Sequence, residues 1–172
     1  LFLLVDDRFA TICSAEITQL MQDLTGDGWT VVRNDIVALT TDAESVRGIV
    51  KAKQAIHTDM KALLLLGSIA VPYSGDIAPD GHVPDHQGAW PADCYYGDID
   101  GTWDDISVNK TGAAGTRNDN TPGDGKWDHS VIPSDIDLQV GRIDFRMMSV
   151  FGIGVSQEAD MMKTYLARLH NY

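Results

Sequence analysis

Leu1-Phe-Leu-Leu-Val5, followed at once by Asp6-Asp7, is the stretch that decides the fold. Five apolar residues in a row, with no polar alternate, suit a strand buried on both faces, the condition of a parallel sheet. The residues beyond it supply the crossovers. Ile17, Leu20, Met21 and Leu24 fall at i, i+3, i+4 and i+7, one face of a helix that starts near Cys13 or Ser14. Gly26 and Gly28 end it. Trp29–Arg33 reads as a second strand. Thr41-Asp42-Ala43-Glu44 fits a capping box, with the Thr41 hydroxyl on the third amide and Glu44 reaching back. The helix it opens runs to about His57, with Val46, Ile49 and Val50 inward. Ala62-Leu-Leu-Leu-Leu66 is a third apolar strand, closed by Gly67-Ser68.

Strand, helix, strand, helix, strand implies parallel pairing through right-handed crossovers. The expected order is 2-1-3, continuing to a fourth strand at Leu138–Ile143. A last helix spans about Ser156 to Asn171, with Ala159, Met162, Leu166 and Leu169 toward the sheet and Tyr165 beside them. The fold class is therefore α/β: an open, mostly parallel, Rossmann-like sheet of order 2-1-3-4 with helices on both faces. At 172 residues it reads as a single domain, 1–172. The chain opens directly in an apolar strand, which predicts a fragment of a larger protein. In such sheets ligands gather beyond the carboxyl ends of the strands, where Asp6, Asp7, Gly67 and Ser68 lie. Asp6-Asp7 resembles the acidic pair that opens receiver domains. Gly67-Ser68 stands where the phosphoacceptor Asp of such a domain would be, so capping of the next segment is the expectation. A supporting part in a metal site stays open.

Between the third and fourth strands lies a long irregular insertion, 72–137. It holds all 6 prolines of the chain and three of its 4 tryptophans. Only Lys110, Arg117 and Lys126 are basic there. The formal net charge of −12 argues against nucleic acid, whose phosphates need Lys and Arg, and leaves no polybasic patch for anionic lipid. No apolar run approaches the ~18 residues of a membrane span. Cys13 and Cys94, far apart, decide nothing about redox compartment. The fingerprints Gly-x-Gly-x-x-Gly, Gly-x-x-x-x-Gly-Lys-Ser/Thr and Gly-x-Ser-x-Gly are all absent, so nucleotide binding and serine-hydrolase chemistry lack support.

Two phrases in the insertion point to a hard cation. The first, Gly97-Asp-Ile-Asp-Gly-Thr-Trp-Asp-Asp105, offers Asp98, Asp100, Asp104 and Asp105 around Gly101. The second offers Asn118, Asp119, Asn120, Asp124 and Asp128 around Gly123 and Gly125. Calcium takes six to eight oxygens from carboxylates, amides and backbone, and uncompensated carboxylates at this density would repel. An EF-hand is excluded: alignment on Gly101 puts Tyr96 first and Ser107 last, and alignment on Gly125 puts Val131 where its Glu belongs. The competing expectation is that these side chains make Asx-turns and caps. His82 and His86 have zinc spacing, but they sit among Gly81, Pro84 and Gly88 with no third ligand evident, so calcium is favoured over zinc. His86 and Cys94 are the one base–nucleophile pairing on offer. Nothing nearby orients the imidazole, and no catalytic residue is expected in this chain. Trp90, Trp103 and Trp127 could line a sugar-binding surface or pin down the loop.

Three ordered phrases carry a family resemblance. They are Leu63-Leu-Leu-Leu-Gly-Ser68 with the Pro-rich stretch after it, Pro91-Ala-Asp-Cys-Tyr-Tyr-Gly-Asp-Ile-Asp-Gly101 with Trp103-Asp104, and Ser134-Asp-Ile-Asp-Leu-Gln-Val-Gly-Arg-Ile-Asp144 before a helix. From about Ala62 to Tyr172 this resembles the gingipain-like cysteine peptidases of the caspase-like clan. The resemblance implies a caspase-like sheet, a secreted bacterial setting and calcium in the acidic loop. It also implies a partner, the C-terminal half of the same peptidase-like unit, where the catalytic His-Gly and Cys would lie. No position here matches either catalytic motif. The function expected is the scaffold half of such a peptidase. The alternative is a non-catalytic, calcium-binding module of a large extracellular protein that recognises a peptide, protein surface or carbohydrate.

Overall fold

The computed structural model describes residues 1–112, 115–148, 150 and 154–171. It divides into two compact units, Leu1–Ala70 with Gln139–Tyr172, and Val71–Leu138.

The first unit is α/β. Its strands are β1 (Phe2–Asp6), β2 (Val32–Ile36), β3 (Ala62–Leu66) and, beyond the second unit, the last strand at Gln139–Ile143. All pair in parallel in the spatial order second, first, third, last. The helices here are α1 (Asp7–Ile12), α2 (Ser14–Gly26), α3 (Ala43–Ile56) and a final helix over Val155–His170. Pleating splits the apolar runs between two faces. Leu3, Val5 and Leu66 join Phe9, Cys13, Ile17, Leu20, Ala159, Met162 and Leu166 in one buried cluster. On the opposite face Phe2 lies under α3, with the Lys53 ammonium 5.7 Å from its ring centroid. Val46 and Val50 of α3 are buried.

Four local expectations shift, each for a physical reason. α1 has no apolar periodicity to reveal it; it forms because the Asp6 carboxylate caps it, accepting from the Arg8 amide. β2 begins three residues later than Trp29, because the amides of Gly28 and Trp29 are spent closing α2 on Thr25 and Leu24. The cap of α3 is Asp42 and not Thr41: the Asp42 carboxylate accepts from the Ser45 amide at 2.7 Å, while the Thr41 hydroxyl donates to the Val37 carbonyl. A carboxylate is the stronger acceptor at a helix N-terminus. On the final helix Leu169 is 44% exposed, so the buried stripe is Ala159, Met162 and Leu166. Tyr172, where the family resemblance ends, lies outside the described residues.

The second unit has little regular structure. β4 (Tyr73–Ile77) and β5 (Gly88–Pro91) form an antiparallel ribbon with a bulge between Ser74 and Ile77. α4 (Cys94–Gly97) is a single turn, Thr116–Asn118 is a 3-10 turn, and the last strand of the chain is now numbered β6 and the last helix α5. Aromatic packing replaces a sheet core. Tyr95 stacks on Trp127 at 4.7 Å and meets Trp103 edge-on at 5.2 Å. Side chains serve the irregular backbone: the Asn120 amide donates to the Gly75 and Trp127 carbonyls, and the Ser74 hydroxyl lies on the His129 carbonyl. Trp103 and Trp127 thus pin the segment from within, and the Trp90 indole donates to the Ile77 and His86 carbonyls.

Candidate metal centres

α4 buries Tyr95 and Tyr96 and delivers the chain into a tight turn at Asp98. The Asp98 carboxylate is 0% exposed. Its oxygens accept from the Gly101 amide at 2.8 Å and from the Trp103 indole at 3.0 Å. The Asp137 and Leu138 amides both donate to the Gly97 carbonyl, and this brings the Asp137 carboxylate to the Ile99 amide. Ligand oxygens of Asp98, Asp100 and Asp137 then lie within 4.8 Å of one another.

The Ser134 hydroxyl makes this cluster informative. Its oxygen is 2.5 Å from Asp98 Oδ1 and 2.8 Å from Asp100 Oδ1. The hydroxyl thus ties the Asp100 carboxylate to the buried Asp98 carboxylate. These residues can therefore hold a divalent cation.

A second group is of another kind. Asp80 Oδ2 lies 3.0 Å from His82 Nδ1 and also contacts His86 Nδ1. The three ligand atoms fall within the same 4.8 Å limit. The hydrogen bond from His86, with the His82 amide, holds the Asp80 carboxyl well below the usual carboxylate range. Asp80 is the third candidate ligand that the sequence spacing of His82 and His86 leaves unnamed.

The remaining candidate ligands sit elsewhere and bind the chain to itself. Asp105 accepts from the Gly123 and Gly125 amides. Asp124 accepts from Thr121 and from the Lys126 amide and ammonium. Asp119 accepts from the Gly112 amide. Asp104 is exposed, and its amide donates to His129 Nε2 at 3.0 Å, which makes that nitrogen the unprotonated one. Asn118 and Asn120 are buried with their amides on backbone carbonyls. Among the described residues Asn120 Oδ1, which is buried, has no hydrogen-bond partner. Of the nine named from sequence, Asp98 and Asp100 come together, joined by Asp137.

Asp128 accepts from the Ile106 and Val108 amides and from both groups of Ser107. Partial desolvation opposes ionisation, but these bonds win and hold its carboxyl below its ordinary value. Such a group stabilises the folded state fully above the unfolded-state value, near 4, and the contribution disappears as pH falls through the lower folded value. Tryptophan-monitored urea midpoints should thus fall more steeply below pH ~4 in the wild type than in Asp128→Asn. Parallel curves would refute the assignment.

No family model, curated protein or solved structure matches this chain. The gingipain-like phrases therefore stand on their own residues. The Pro91–Gly101 phrase runs from the end of β5 through α4 to Asp98, and the Ser134–Asp144 phrase supplies Ser134, Asp137 and β6. The Arg142 guanidinium of the latter donates to the Ile69 and Ala70 carbonyls, just past β3. Asp6 of the sheet unit is taken by Arg8 and by the Ser68 amide. Among the described residues no hydrogen bond joins His86 to Cys94, and desolvation pushes the Cys94 thiol up, away from thiolate chemistry. No helix among the described residues is long and apolar enough to cross a membrane.

Proposed function

We propose that the Val71–Leu138 unit is a calcium-stabilised, non-catalytic recognition module, with Asp98, Asp100 and Asp137 on the ion. The observation that carries this is the convergence of carboxylate oxygens of Asp98, Asp100 and Asp137 within 4.8 Å of one another, with Asp98 fully buried. All-oxygen donors of high charge suit a hard cation, and water can complete the shell. For recognition, Ile77, Trp90, His129, Val131 and Ile132 line a cavity of about 170 Å³. Val131 is exposed beside it, an apolar wall suited to a peptide or a sugar face.

Thermal melting followed by tryptophan emission tests the reading. Calcium at ~100 times its Kd should stabilise the unit by about 2.7 kcal/mol, and EDTA should remove that gain. Asp100→Asn should abolish the calcium response and leave the helical signal at 222 nm in place. A wild-type protein that melts identically with calcium and with EDTA would end this proposal.

The parallel order of the sheet and the three phrases favour a second reading, the scaffold half of a secreted bacterial gingipain-like peptidase. It differs in one observable. The full-length chain would carry a His-Gly and a Cys after later strands, and their absence there would leave the recognition module alone.

A further inference from the structure

We propose that Asp80, His82 and His86 form a second metal site that takes a borderline transition-metal ion, zinc being the class that fits, independently of the calcium site. The donor set is the first reason. Two imidazole nitrogens and one carboxylate oxygen select zinc-like ions over calcium or magnesium, which prefer oxygen alone. Three protein ligands also match an open tetrahedral site with water in the fourth place.

Orientation is the second reason. Both Nδ1 atoms converge on one oxygen, Asp80 Oδ2, with the rings edge to face at 5.4 Å. The three donor atoms lie within 4.8 Å of one another, so an ion placed between them would meet all three. Backbone fixation is the third. Although the segment is not helical, the His86 amide donates to the His82 carbonyl at 2.9 Å, one isolated i to i+4 turn that puts both rings on one side. The Gln87 amide closes on Pro84, the Gly81 amide on Ala78, and the His82 amide on Asp80 Oδ1. The Trp90 indole anchors the His86 carbonyl. The ligands are thus set in place before an ion arrives, which lowers the ordering cost of binding. His82 is 74% exposed in its side chain, so ions enter from solvent.

The test titrates metal-stripped full chain with Co²⁺, with saturating calcium present to occupy the oxygen cluster. The expected result is one Co²⁺ per chain with the intense visible bands of tetrahedral nitrogen–oxygen coordination, displaced by Zn²⁺. The bands should be lost in His86→Asn and in His82→Asn, and retained in Asp100→Asn. The His82 side chain is exposed and meets Asp80 and His86, so its substitution reports on the site even if His86→Asn perturbs the loop. Absence of tetrahedral bands in the wild type, or bands that survive His82→Asn, would overturn the proposal. Because calcium is saturating throughout, failure here leaves the calcium reading untouched.

Discussion

Asp6→Ala should destabilise the α/β unit by about 3 kcal/mol, read as a fall in the urea midpoint of the helical signal at 222 nm with an unchanged slope. The side chain is fully buried and serves three partners at once. It caps α1 through the Arg8 amide, a role whose loss costs about 1 kcal/mol. It accepts from the Ser68 amide at 3.0 Å, a donor that alanine would leave unpaired at a cost of about 1–3 kcal/mol. It also pairs with the Arg8 guanidinium at 2.6 Å. That last loss is the smallest, since Arg8 reaches solvent and keeps buried Glu158 at 3.4 Å. Gly67 makes the site unforgiving. Its φ is +98°, and a Cβ there would stand 2.4 Å from Asp6 Cβ, so the turn after β3 is built against this carboxylate. Asp6→Asn keeps a capping oxygen and should fall between alanine and wild type. A midpoint shift worth less than ~1 kcal/mol for Asp6→Ala would refute the three-partner account.

The same carboxylate shows how far the sequence could be read. The four strands and their order follow from apolar runs and crossover rules, which are local signals. Capping of the segment after β1 was also legible, because an acidic pair after a buried strand has few other uses. The short α1 was not, since six residues are too few to display a 3.6-residue period. The start of β2 was not either, because it depends on which amides α2 consumes at its end, a matter of hydrogen bonding that composition does not record.

In the acidic segment the chemistry was legible and the grouping was not. Asp98 and Asp100 stand two residues apart and meet, but their partners Ser134 and Asp137 arrive from more than thirty positions later. No periodicity links them; the link is the Gly97 carbonyl accepting two amides. Asp105, Asp124 and Asp128, ligands by their spacing, accept from N–H donors of the chain and do not join that group. Asp80 was hidden by its neighbours. With Gly81 and Pro84 around it, the spacing of His82 and His86 loses its helical meaning, and only the isolated turn restores it.

Gly101→Ala should damage the second unit more than any exposed substitution in it, and through space alone. A Cβ at Gly101 would lie 2.2 and 2.4 Å from the two oxygens of Asp98. The carboxylate cannot step aside, because it is fully buried and held by the Trp103 indole and Ser134. Displacing it breaks the indole bond, and Trp103 is edge-on to Tyr95 at the centre of the aromatic cluster. Overpacking of this kind costs about 1–3 kcal/mol, and a buried bond to a charged group adds about 1.5 more. The expected outcome is a loss of about 3–4 kcal/mol in tryptophan-monitored unfolding, with the near-ultraviolet dichroism of the cluster altered and the calcium response gone. Gly125→Ala is the contrasting variant. Nothing lies within 4 Å of its Cβ position, but φ is +83°, so its penalty is conformational, about 1–2 kcal/mol, and the calcium response should survive. If the two variants behave alike, the Asp98 carboxylate is not the fixed centre of the module, and the cation reading loses its anchor.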